Sequence, residues 1–288
     1  MNKIIDGKAI SKQIRAEIAE KTAQFREETG IVPGLAVIIV GEDPASRVYV
    51  RNKRLACEEV GFYSESYELP EETTQEELEA LIERLNGEDR IHGILVQLPL
   101  PRHLNEEAIL LKIDPSKDVD AFHPYNVGRI MIGNYHYLPC TPAGVMELIR
   151  RSGIAVEGKE CVVVGRSNIV GKPMAMLLLQ ANGTVTVCHS RTRDLAEVCR
   201  RADILVAAIG KADYFGADMV KAGAVVIDVG MNRRADGKLT GDVDFNAVID
   251  KVSAITPVPG GVGPMTITML MQNTLTSAAI KAGKETRA

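Results

Sequence analysis

Four short apolar runs in the second half of the chain, CVVVG (161–165), TVTVC (184–188), DILVAAIG (203–210) and AVVIDVG (224–230), recur with helical patterns between them. Strand-length runs of this kind are buried on both faces, and when helices separate them they specify a parallel sheet covered on both sides. The first half has the same rhythm. There LAVIIVG (35–41), SESYEL (64–69) and HGILVQLPL (92–100) read as strands, with helices near 44–60 and 74–86. A new unit begins at CTPAG (140–144), where Thr141 is placed to cap, and Pro142 to enter, a helix running to about Ser152. The expected fold is α/β in two domains. The first covers 1–139 and is completed by an apolar C-terminal helix over 265–288; the second covers 140–264. No low-complexity linker separates them, so a cleft between closely packed domains is the expected ligand site.

Composition removes several classes of function. A chain of 288 residues is long enough to bury a sizeable core. With 34 Lys and Arg against 38 Asp and Glu the net charge is −4, which excludes a broad nucleic-acid footprint. The amino terminus enters amphipathic helix spacing with no apolar leader pattern, and the longest apolar stretches are strand-sized. The expectation is an unexported, soluble protein with no membrane partner. Five cysteines, at 57, 140, 161, 188 and 199, form no C-x-x-C pair, and an odd number argues for a reducing compartment, the cytoplasm. The histidines show no H-E-x-x-H spacing, so no metal is expected.

The stretch VVVGRSNIVGKP (162–173) joins a strand, a glycine turn and a helix start. A P-loop is ruled out, because five residues separate the glycines and Pro173 stands where a Mg²⁺-binding hydroxyl is needed. The remaining reading is a degenerate dinucleotide turn. Gly165 is in place, Ser167 and Val170 stand where glycines are usual, Gly171 follows one residue late, and the helix N-terminus is expected to receive an anion. This makes the second domain Rossmann-like. The next strand ends in CHSRTRD, which offers Ser190 and Arg191 before the first acid, Asp194. NAD selection usually uses an acid there, whereas arginines in the turn and at the strand end match a 2′-phosphate. The expected cofactor is NADP.

In the first domain, Tyr49 and Lys53 lie four apart on one helix face, with Ser46 one turn earlier. Lysine in an RNKR run by itself reads as a solvated helix face. Gln97 alters that reading, since it interrupts an apolar strand at its carboxyl end and a buried amide needs a partner. DPSKDVDAFHP (114–124) adds Asp118 and Asp120 on a loop without the spacing of a calcium site.

Together YVRNK, VQLPLP, KDVDAFHPYNVGR, PCTPAG, VVVGRSNIVGKP, GDV and TPVPGGVGPMT resemble the bifunctional methylenetetrahydrofolate dehydrogenase/methenyltetrahydrofolate cyclohydrolase family over essentially the whole chain. The resemblance implies oxidation of 5,10-methylenetetrahydrofolate with NADP⁺, then hydrolysis of the methenyl product to 10-formyltetrahydrofolate, a one-carbon donor for purine biosynthesis. It implies a homodimer. It assigns Lys53 as the base, Gln97 as its orienting partner, Tyr49 as the ring that stacks on substrate, and Asp120 as the carboxylate that binds the pterin. Pro259, Gly260, Gly261, Val262 and Gly263 match the folate-side loop. Gly165, Arg166, Ser167, Ser190, Arg191 and Met231 match cofactor positions. Two departures stand out: Ala121, where the family usually has glycine, and Arg47, which reads as a surface change or as a contact to the folate's glutamate tail, the surface reading being favoured. The rival readings are another two-domain NADP-dependent dehydrogenase of a small metabolite and a non-catalytic NADP-binding module.

Overall fold

The computed structural model describes residues 3–284, apart from the side chains of 44–46; Ser46 and the last four residues of the helix expected to reach 288 lie outside the described residues. The chain divides into two compact units, one of residues 13–140 and 267–288, the other of residues 1–12 and 141–266.

Helix α1 (Gly7–Thr29) leads into β1 (Gly34–Val40), α2 (Pro44–Val60), β2 (Tyr63–Leu69), α3 (Gln75–Asn86), β3 (Gly93–Val96), α4 (Glu106–Lys112) and α5 (Pro124–Met131). The strands form a parallel sheet in the order β2-β1-β3. All seven residues of β1 are buried, as a central strand requires, whereas the edge strand β2 alternates with solvent. Ala36, Ile38 and Val40 pack on Leu78, Ile82 and Leu85 of α3 and Ile109 of α4. Each large side chain buried there contributes about 1.5–3 kcal/mol. Thr74 starts α3 through a reciprocal cap, its hydroxyl accepting from the Glu77 N–H while the Glu77 carboxylate accepts from the Thr74 N–H. Strand β3 stops at Val96 and does not run to Leu100. Gln97 N–H still donates to Ile38 O (2.8 Å), but Pro99 and Pro101 have no N–H with which to continue the ladder.

The second unit comprises α6 (Cys140–Arg151), β4 (Glu160–Val164), α7 (Gly171–Gln180), β5 (Thr184–Cys188), α8 (Leu195–Arg200), β6 (Ile204–Ala207) and β7 (Val225–Asp228). It continues with a small hairpin of β8 (Asn232–Arg233) and β9 (Leu239–Thr240), then α9 (Phe245–Val248), β10 (Ala254–Ile255) and α10 (Val262–Lys281). Both α1 and α10 pass from one unit into the other. The sheet is parallel in the order β10-β7-β6-β4-β5, so the winding reverses between β4 and β6. In such a sheet the carboxyl ends of the strands at the reversal form the ligand crevice.

Two local expectations are corrected. The run TVTVC is not buried on both faces: β5 is an edge strand, and Thr184 and Val187 are exposed. Thr141 lies inside the first turn of α6, not at its cap, and its hydroxyl meets that of Thr266 at 3.0 Å. Residues 3–12 join this unit through paired backbone bonds, Ile5 N–H to Ile255 O (2.9 Å) and Ile255 N–H to Lys3 O (2.8 Å), a grouping that a division at residue 139 does not anticipate.

Candidate active site

Helix α2 carries Tyr49, half-buried, and one turn later Lys53, only 8% exposed. The Lys53 Nζ donates to Gln97 Oε1 at 2.8 Å, and Gln97 Nε2 donates to Leu98 O at 2.8 Å. The second bond fixes the amide with its oxygen toward the amine. The sequence pattern leaves a polar side chain at the end of an apolar strand, and the fold gives it a buried amine as partner.

The loop after Lys117 supplies two carboxylates with different work. Asp118 is buried and accepts from the N–H groups of Phe122 (3.3 Å) and His123 (2.9 Å) and from Asn126 Nδ2 (2.8 Å), so it holds the loop. Asp120 is half-buried and meets the Cys140 thiol at 3.5 Å. Between this carboxylate and the next segment, Ala121 is fully buried at φ +57°, a conformation that costs an L-residue roughly 1 kcal/mol or more. Arg47 is exposed and paired with Glu42 (3.0 Å), a contact worth little in water.

Burial dominates the electrostatics. It lowers the proton affinity of Lys53, against the opposing charge of Asp120. Burial likewise pushes the Asp120 carboxyl up to about 6, against the pull of Lys53, and raises the Cys140 thiol well above its ordinary range. The thiol is therefore a neutral donor to Asp120. Two residues of this cluster were not singled out in the sequence. Cys140 stands in the sequence only as one of five cysteines and a member of PCTPAG, with no role assigned, and Asn273 lies on α10, where its Nδ2 donates to Val119 O and Leu138 O, both at 2.8 Å. A buried amide in the apolar run MLMQNTL was the available signal.

In the other unit, the turn after β4 is shaped by close approach. A Cβ at Gly165, whose φ is +141°, would fall 2.3 Å from Ala208 O, and one at Gly171 would fall 2.2 Å from Gly165 O. Gly171 thus provides helix-to-turn packing one residue later than the usual spacing. Ser167 and Pro173 change the helix end as well. Gly171 N–H donates to Ser167 Oγ (3.3 Å), Lys172 N–H donates to Ser167 O (3.0 Å), and Pro173 has no N–H. The first-turn donors of α7 are therefore occupied, contrary to the expectation of an open anion-binding helix end. Arg166 and Ser167 after β4, and Ser190 and Arg191 after β5, are all exposed at adjacent strand ends. Met231 follows β7, beyond the reversal, and is 46% exposed. In the 259–263 stretch, Pro259 is exposed, Gly260 and Gly261 are buried, and Val262 and Gly263 are already the first residues of α10. Among the described residues no group of three or more His, Cys, Asp or Glu could hold a metal ion.

Residues 5–120 match the model of the tetrahydrofolate dehydrogenase/cyclohydrolase catalytic domain, and residues 139–282 match that of the NAD(P)-binding domain of the same family. The chain belongs to the tetrahydrofolate dehydrogenase/cyclohydrolase family. The bifunctional protein FolD of Acetivibrio thermocellus is 62% identical over 97% of this chain and 98% of its own. The crystal structure of the bifunctional FolD methylenetetrahydrofolate dehydrogenase/cyclohydrolase from Campylobacter jejuni matches with a TM-score of 0.94 at 53% identity, covering 96% of this chain and 99% of that one. The Trypanosoma brucei enzyme, solved in complex with NADP cofactor and inhibitor, matches at 0.93 and 44% identity over 97% and 98%. Within this family, Lys53, Gln97 and Asp120 lie in the range matched by the catalytic domain, and Cys140, Asn273 and the Gly165 turn in that matched by the NAD(P)-binding domain.

Proposed function

We propose that this protein oxidises 5,10-methylenetetrahydrofolate with NADP⁺ and hydrolyses the methenyl product to 10-formyltetrahydrofolate. The observation that carries this reading is the buried Lys53 amine on Gln97, beside Asp120. Residues 1–139, completed by the C-terminal helix, bind folate, and residues 140–264 bind NADP.

Oxidation leaves a cation stabilised by the two nitrogens that flank the one-carbon unit, so the protein's task is positioning. Tyr49 offers a ring to the substrate, and Asp120 accepts from the amino edge of the pterin. The 259–263 stretch supplies backbone on the folate side. The turn after β4 fits a dinucleotide, because Gly165 leaves bare backbone against Ala208 and Arg166, Ser190 and Arg191 stand exposed for the 2′-phosphate. When bound, NADP⁺ supplies the hydride acceptor.

Hydrolysis needs a base. Neutral Lys53 has one lone pair and donates an N–H to Gln97, which leaves the lone pair to take a proton from water as its oxygen bonds to the methenyl carbon. A cationic substrate nearby lowers the proton affinity of the amine further. The carbon–nitrogen bond then opens as a proton passes to the departing nitrogen.

The five cysteines are buried free thiols, which supports a reducing compartment, the cytoplasm, as the place of action. The assembly proposed is a homodimer, and its 10-formyl product serves purine biosynthesis. Another two-domain dehydrogenase of a small metabolite is not favoured, given full-length identity of 62% to a bifunctional relative. The test is a spectrophotometric assay with methylenetetrahydrofolate and NADP⁺ or NAD⁺. Wild type should reduce NADP⁺ and then lose the methenyl band, while Lys53→Ala should fail to discharge that band. A Lys53→Ala chain that hydrates at the full rate would overturn the reading.

A further inference from the structure

The carboxyl edge of the five-stranded sheet contains two buried carboxylates that the chemistry above does not use. Asp228 ends β7 and is 3% exposed; its carboxylate accepts from the N–H groups of Gly230, Asp242 and Val243, each at 2.9 Å. Asp242 is fully buried. One of its oxygens accepts from Ile209 N–H (2.6 Å) and Gly210 N–H (3.1 Å), the other from Lys211 N–H (2.8 Å) and Asn232 Nδ2 (2.9 Å). The approach is so close that a Cβ at Gly241 would fall 1.8 Å from Asp228 Oδ2, and one at Gly230 would fall 2.3 Å from Asp242 Oδ1.

Three successive backbone N–H groups turned onto one point make an anion seat. Here the seat at 209–211 is filled by the protein's own carboxylate, so this loop has no vacancy for a phosphate. The backbone groups left to it are carbonyls, which suit neutral donors such as ribose hydroxyls or a carboxamide N–H. The loop adjoins the phosphate-side turn, since Ala208 packs on Gly165. It follows β6, and Asn232 follows β7, so Asp242 ties together the exits of two neighbouring strands.

With the 2′-phosphate assigned to the β4 and β5 ends, a dinucleotide crossing the winding reversal lays its nicotinamide half over β6 and β7. We propose that Asp242 is a positioning residue for the oxidation: by drawing the 209–211 loop and Asn232 onto one carboxylate, it sets the rim against which the nicotinamide half of the cofactor lies. This role rests on the NADP-dependent oxidation proposed above.

The test uses the full-length Asp242→Asn chain, in which an amide replaces an acceptor that faces four donors. Three quantities are measured: the oxidation rate with NADP⁺, the affinity for 2′-phosphoadenosine 5′-diphosphoribose, which lacks the nicotinamide, and the hydrolysis of the methenyl compound without cofactor. The oxidation kcat should fall at least about tenfold, while fragment affinity and hydrolysis each stay within about twofold. An unchanged kcat overturns the role, and so does a parallel loss of fragment affinity, which marks general damage to the unit. If Asp242→Asn does not fold, Asn232→Ala decides, since the three backbone bonds to Asp242 remain. A kcat lowered about threefold with the fragment unaffected supports the role; an unaltered kcat overturns it. A wild type that reduces no NADP⁺ overturns both readings, whereas an Asp242→Asn chain equal to an active wild type overturns only this one.

Discussion

Lys53 in one unit and Asp242 in the other are both buried ionisable side chains, yet their surroundings are opposite. Among the described residues Lys53 donates to Gln97 alone, and burial lowers its proton affinity. Asp242 has four donors on two oxygens. The first arrangement keeps a proton exchangeable; the second spends every lone pair it can on holding backbone in place. Burial alone therefore does not mark a reactive group. What distinguishes the two is how fully the buried group is hydrogen-bonded by its neighbours.

The largest expected effect breaks this comparison on the Lys53 side. Lys53→Met keeps the volume and removes the base, so hydrolysis should fall about 10²–10⁴-fold. Because a buried amine is lost, thermal stability should be unchanged or raised. A melting temperature that drops as hydrolysis falls would make Lys53 a structural cation instead. Next in size, Arg166→Ala should lower the preference for NADP⁺ over NAD⁺ by about 10–100-fold, the worth of one charge-assisted contact. Steady-state kinetics with both cofactors checks this, and an unaltered ratio removes Arg166 from the site.

Two further changes sharpen the contrast through pH. Asp120 opposes burial at Lys53 by favouring the charged amine, so Asp120→Asn should move the rising limb of the hydrolysis pH profile toward acid. A limb that stays put would uncouple the two groups. Asp228 is pushed up to about 7, chiefly by burial and also by the charge of Asp242, while three N–H donors pull it down. The folded state then holds a proton that the unfolded chain releases near pH 4. Its contribution to stability is complete below about 4 and is lost as pH rises through about 7. Denaturant melts from pH 4 to 8 should show a smaller decline in Asp228→Asn than in wild type. The smallest effect is at Ala121, φ +57°. Ala121→Gly should change stability by no more than about 1 kcal/mol, whereas Ala121→Val should cost over about 2 kcal/mol in the same melts.

The fold was legible because the apolar runs are strand-length and the helices between them carry clear boundaries, as at Thr74. The meeting of Gln97 with Lys53 was legible for a related reason, since a polar residue in an apolar strand needs a partner and the helix that carries Lys53 offered one. Less could be read where the decisive bond is to backbone. The Asp242 carboxylate gathers N–H groups some 30 positions upstream, which no spacing in the sequence records. The sealing of α7 by Ser167 was hidden likewise, because a serine in place of a glycine shows what is missing from a turn and not which donors its hydroxyl will take. The Val and Thr side chains of β5 suit a buried or an edge position alike, so its exposure emerged only with the strand order.

The central claim is that Lys53 is a buried amine whose proton affinity is lowered by its surroundings. It is tested most directly by nitrogen NMR of the labelled Lys53 side chain across pH, with Lys53→Met to assign the resonance. The account predicts that this amine loses its proton below the ordinary lysine value of about 10.4, and lower again in Asp120→Asn. An amine that titrates with the surface lysines, and does not respond to Asp120→Asn, would contradict it.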